Sequence, residues 1–190
     1  ATPADITDQP LIGLHTFAEI NATLSALTTV PKTNAAVTAT YKKVEQQLPT
    51  LANLDGFLAA QQMGITQLSV AYCNALVGSS TAANTLRDNY FTGFNFAAPA
   101  ATAFDTTGRS QIIEPLLKHL LAHEVAQTGA QAAAKLNNQA DPAELRTELN
   151  ALIDVMTQCA NTNSCSSDRT LTTVKAACAA TMGSAVMLLH

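Results

Sequence analysis

The sequence predicts an all-α protein: a single-domain helical bundle of about six to seven helices with two disulfides. Three observations carry that expectation. Apolar residues recur at helical spacing through most of the chain, and strand-like alternation persists nowhere. Two of the periodic runs open on recognisable helix starts, Thr16-Phe-Ala-Glu19 and Asp141-Pro142-Ala-Glu144. Four cysteines, an even number, lack both a Cys-x-x-Cys knuckle and zinc-ribbon spacing, which reads as disulfides and an oxidising compartment.

Residues 1–13 have no periodicity and contain Pro3, Pro10 and Gly13, so an extended tail is expected there, with 14–190 as one helical domain. Thr16 and Glu19 form a capping box for a first helix through Ile20, Leu24 and Leu27 that stops before Pro31. Val37, Tyr41, Val44 and Leu48 share one face of a second, ending at Pro49. Asp55 is placed to cap a long third helix through Leu58, Ile65, Leu68, Tyr72, Cys73 and Leu76. A short helix is expected over 80–90.

The Phe-rich stretch 91–108 reads as irregular, with its aromatics pinned to the core. Pro115 suits the first turn of a helix over 112–125. Asp141 caps the next, with Leu145, Leu149, Leu152 and Met156 as its buried stripe. Ser167 caps the last, which carries Leu171, Val174, Cys178, Met182 and Val186 on one face and holds Gly183-Ser184 within it as a close-approach pair. Among the three possible pairings, proximity favours Cys159–Cys165, leaving Cys73–Cys178 to join two apolar helix faces.

Composition narrows the partners. Only 13% of residues are charged, about half the usual quarter. Thr, Asn, Gln, Ser and Ala take their place, giving a surface that is cheap to bury against another protein. A net charge of −4, with ten scattered Lys and Arg, argues against nucleic acid. No apolar run reaches the roughly 18 to 20 residues of a transmembrane helix. The Ala-Thr-Pro-Ala-Asp opening is that expected of a chain from which a signal peptide has been removed.

Three segments, LHTFAEINATLSALTTVP (14–31), GFLAAQQMGITQLSVAYCNALV (56–77) and CANTNSCSSDRTLTTVKAACAATMGSAVMLLH (159–190), carry a resemblance. They resemble the C-terminal helical region of large exported proteins of Gram-negative bacteria, which often carry LamG-type sandwich domains upstream. The resemblance is to an overall pattern and not to a catalytic signature, and the alternating strands of a sandwich are absent here. It implies a periplasmic or extracellular location and a helical, disulfide-bonded module, and it supplies no activity.

Chemistry-bearing residues are few. His119 and His123, at i and i+4 with Glu124 beside them, could clasp a metal if His15 or Asp154 supplied a third ligand. The metalloprotease order His-Glu-x-x-His is not met, and the pair is expected to be an ordinary one on a helix surface, with no metal and no cofactor. No Gly-x-Ser-x-Gly elbow, free thiol, phosphate-binding glycine loop or converging carboxylate pair stands out; Glu144 and Glu148 read as cap and solvent face. The sequence therefore points to an exported, non-enzymatic subunit or docking module of an envelope or extracellular assembly. Ile6, Leu11, Ile12 and Leu14 of the tail are its candidate partner-binding residues, and the partner is a protein or a second copy. The competing expectation is a periplasmic protein that binds a small ligand or metal through His119 and His123 or in a pocket under the Phe91–Phe104 loop.

Overall fold

A computed structural model describes residues 15–46, 59–81, 84–128, 141–159 and 165–184. Eight helices occur among them and no strand: α1 (Phe17–Thr28), α2 (Ala35–Glu45), α3 (Ala59–Val77), α4 (Thr85–Tyr90), α5 (Ala100–Ala103), α6 (Thr106–Thr128), α7 (Pro142–Thr157) and α8 (Ser167–Met182). The all-α expectation holds. The helix beyond the expected number is α5, a single turn inside the stretch read as irregular. The tail residues Ile6, Leu11, Ile12 and Leu14 lie outside the described residues, as do Leu48, Asp55, Leu58, Val186 and the interior of the Cys159–Cys165 loop.

The helices begin where short polar side chains can take the first free N–H groups. Thr16 and Glu19 form the reciprocal box, with the Thr16 N–H donating to Glu19 Oε2 at 2.7 Å. Asp141 Oδ1 accepts from the Ala143 N–H at 2.9 Å, with Pro142 as the first residue of α7. Asn34 and Asn84 cap α2 and α4 in the same way. Ser166, and not Ser167, stands at the cap position of α8, and its side chain makes no capping hydrogen bond. At the other end of α8, Gly183 is the C-cap and Ser184 lies beyond it, so this pair closes the helix instead of sitting inside it.

A second correction concerns α6. It starts at Thr106, which puts Pro115 in the helix interior and not in its first turn. Asp105 Oδ1 accepts from the Gly108 N–H at 2.8 Å and so supplies the earlier start. Gly108 is required there, because a Cβ would run into the carbonyl of Ala103. Lacking an N–H, Pro115 cannot donate to the Gln111 carbonyl four residues back, so that turn loses its ladder bond.

The core is organised around α3 and α8, which run antiparallel, with α1 and α2 packed on α3, α5, α6 and α7 on α8, and α1 also touching α6. Cys73 and Cys178 link the two central helices with their Cα atoms 5.8 Å apart, and Cys159–Cys165 closes the α7–α8 turn at 5.7 Å. Both pairings are those expected. Along the same seam Ser69 Oγ donates to the Met182 carbonyl and Gln62 Nε2 to the Gly183 carbonyl, each at 3.0 Å.

The buried face of α8 carries the expected Leu171, Val174, Cys178 and Met182 together with Thr170, Thr173 and Thr181. Those hydroxyls tolerate burial because each reaches a carbonyl: Thr173 that of Arg169, Thr181 that of Ala177, and Thr170 that of Ala98 across the interface. On α7 the buried centre is Leu149 and Ile153, with Leu145, Leu152 and Met156 at its edges. Phe91, Phe94, Phe96 and Phe104 are all buried, so the Phe-rich segment is pinned to the core as expected.

Candidate functional site

Phe91, Phe94, Phe96 and Phe104 of the aromatic segment are buried, and a pocket lies beside the start of that segment. A pocket of about 730 Å³ sits between the C-terminal end of α4, the following turn and one face of α6, with Arg146 of α7 at its edge. Each wall follows from local sequence. Asn84 fixes the start of α4 and so places Tyr90 at its last turn. Gly93 adopts the left-handed conformation at φ +83°, and a Cβ there would come within 2.9 Å of Gln111 Nε2. Glycine at 93 thus leaves room for the Gln111 amide in the pocket wall.

Two contacts organise the interior. The Tyr90 and His119 rings stack with centroids 4.7 Å apart and planes 19° from parallel. The Tyr90 side chain is 7% exposed, and its hydroxyl makes no hydrogen bond among the described residues. Burial pushes that phenol well above its ordinary pKa, so it stays protonated. Tyr72 is the contrasting case: it too is pushed up by burial, to about 12, but its hydroxyl donates to Asn21 Oδ1 at 2.6 Å. At the pocket edge Arg146 grips Glu114 with both prongs, Nε to Oε1 at 2.7 Å and Nη2 to Oε2 at 2.9 Å. That fork holds the Glu114 carboxyl below its ordinary pKa. Lys118, by contrast, has no ion-pair partner among the described residues.

Desolvation, and secondarily the Lys118 ammonium, lower the His119 pKa from its ordinary 6.5, so the imidazole is neutral at neutral pH. The sign of the consequence follows. Between the lowered folded value and 6.5 the unfolded chain binds more protons than the fold, so stability falls as pH drops below 6.5. Glu114 acts in a separate window: its contribution is present above 4.5 and is lost below it, as pH falls through the lowered folded value. In urea unfolding followed from neutral pH downward, His119→Gln is expected to be less acid-sensitive than the parent just below 6.5. Identical pH profiles would refute the assignment.

The structure brings His119 to the pocket, where the other two candidate ligands among the described residues have other neighbours. Asp154 is taken by Arg109 at 2.6 Å, and His15 lies beside Glu19 at 3.8 Å. Among the described residues no group of three His, Cys, Asp or Glu is placed to hold an ion. The side chains of His123 and Glu124 lie outside the described residues. Glu144 and Glu148 are both exposed on α7. Sequence reasoning noticed His119 for its spacing to His123 and missed Tyr90, Gln111 and Lys118. Only the i, i+4 relation of Glu114 and Lys118 on one helix could have pointed there.

The fold and pocket define a class: an all-helical domain cross-linked by two disulfides, with a pocket at the α4–α6 junction. Comparisons with family models, curated proteins and solved structures find no match. Among the described residues no helix is long and apolar enough to cross a membrane.

Proposed function

We propose that the chain is an exported, non-enzymatic helical protein that binds a small polar molecule in the Tyr90–His119 pocket. The observation that carries this reading is Tyr90, which lines the pocket against His119 and whose enclosed hydroxyl has no hydrogen-bond partner among the described residues. Leaving such a group without a partner costs on the order of 1 to 3 kcal/mol, and folds keep that cost where a function uses the group. Asn89, Gln111, Lys118 and the neutral His119 add donors around the same space. Nothing in this set is a nucleophile held by a base, which favours binding over catalysis. The two disulfides support export.

Tyr90→Phe separates function from stability. The variant is expected to be as stable as the parent or up to about 1 kcal/mol more stable, since it removes an unpaired buried hydroxyl. In NMR titrations with a panel of small acids, sugars and amines, at least one compound should move the Tyr90, Gln111 and His119 signals of the parent and bind the variant more weakly. A panel that leaves those signals still would refute the reading.

Association as a subunit or docking module of an envelope or extracellular assembly is the second reading. One observation favours it: α3 contains no Asp, Glu, Lys or Arg, and leaves Met63 and Val70 58% and 41% exposed two turns apart on one side. Light scattering of the exported protein tests it, and a monomer at all concentrations, alone and with envelope extract, would count against it.

A further inference from the structure

We infer that the occupant of the Tyr90–His119 pocket is a small organic monocarboxylate whose apolar body lies against Pro115 and the His119 ring. The inference rests on the pocket reading above and adds the ligand's chemical class.

The charges present decide the class. Glu114 and Arg146 neutralise each other through their two-pronged contact, so neither is free to recruit an ion of its own. Lys118 is the pocket's uncommitted cation among the described residues, and it sits one residue before the half-buried His119. A cationic ligand would meet that ammonium and find Glu114 already satisfied. A phosphate dianion carries more negative charge than one ammonium balances. A neutral sugar would leave the ammonium unused. A single carboxylate matches a single ammonium.

The remaining polar groups fit the two oxygens of that carboxylate. The Gln111 and Asn89 amides of the pocket lining are donors, and neither side chain makes another hydrogen bond among the described residues. Pro115 and the ring pair of Tyr90 and His119 form the apolar part of the lining. A donor cluster with one cation beside an apolar, ring-bearing wall is the arrangement that a carboxylate on a hydrocarbon or aromatic body requires.

The test uses the full disulfide-bonded chain at neutral pH and constant ionic strength, with benzoate, benzyl alcohol and inorganic phosphate as probes in NMR titrations. Benzoate should move the Tyr90, Gln111 and His119 signals saturably and bind at least about tenfold more tightly than either other probe. Lys118 is exposed, so Lys118→Gln should fold normally, and it should weaken benzoate by about tenfold while leaving its melting temperature unchanged. Benzyl alcohol or phosphate binding as tightly as benzoate, or benzoate binding that ignores Lys118→Gln, would overturn the carboxylate class and leave the pocket standing. Failure of every probe to move those signals would overturn the carboxylate class, and if the wider panel of acids, sugars and amines is also silent, the pocket reading falls with it.

Discussion

Replacing Cys73 and Cys178 together by alanine is expected to cost about 4 to 5 kcal/mol of stability, against roughly 2 kcal/mol for replacing Cys159 and Cys165. The difference comes from the loops closed. One link spans 105 positions and the other six, and a longer closed loop removes more freedom from the unfolded chain. The long link also joins the two central helices at a site where both sulfurs are fully enclosed, so alanine there removes packing atoms as well. Folded domains of this kind hold about 5 to 15 kcal/mol in total, so the first variant should sit near the edge of folding at physiological temperature. Urea unfolding without reductant reads both effects. The slope should rise in the Cys73/Cys178 variant, because its unfolded chain exposes more surface. Equal losses in the two variants would show that loop length is not what sets the contribution.

What could be read from the sequence was local. The Thr16–Glu19 box and the Asp141-Pro142 start each concern a few adjacent residues and one helix end, and both stand where the pattern put them. The disulfide pairing was also legible, because elimination after a short-range bond left one choice. Pro115 misled because its liking for first turns is a preference, and Asp105 with Gly108 sets an earlier start that the neighbouring Phe-rich segment disguised. The stripe of α7 was centred on Leu149 and Ile153 because two neighbours, α6 and α8, share that helix and rotate the buried face toward their junction. The pocket was the least legible feature. Its parts come from α4, α6 and α7, and neither the stack of Tyr90 on His119 nor the missing partner of the Tyr90 hydroxyl leaves any trace in sequence spacing. An unfilled hydrogen bond is a property of packing alone.

Arg87→Met is expected to cost about 3 kcal/mol, the sum of two carbonyls losing a charged donor and the loss of a cation over an aromatic ring. Arg87 is only 2% exposed. Its Nη1 donates to the carbonyl of Val77, the last residue of α3, at 3.3 Å and to that of Ser80 at 2.7 Å. Nε donates to Asp88 Oδ1 at 3.0 Å, and the guanidinium carbon stands 4.1 Å from the centre of the Phe96 ring. One side chain thus ties the negative end of α3 to α4 and to the aromatic segment. Methionine keeps most of the volume, so the loss reports charge and hydrogen bonding more than a cavity. Arg87→Lys keeps the charge but not the planar fork, and should cost about half as much. Because Asp88 is half exposed, removing the cation does not strand a buried carboxylate, which keeps the expected loss below that of breaking a fully enclosed pair. The effect should also reach the pocket. Tyr90 ends the same short helix, so loosening α4 should weaken its stack on His119 and let the imidazole pKa return toward 6.5. Denaturant midpoints and an NMR titration of His119 check the two halves separately. An Arg87→Met protein as stable as the parent, with His119 unmoved, would mean that the buried guanidinium gains nothing over an apolar side chain of the same size.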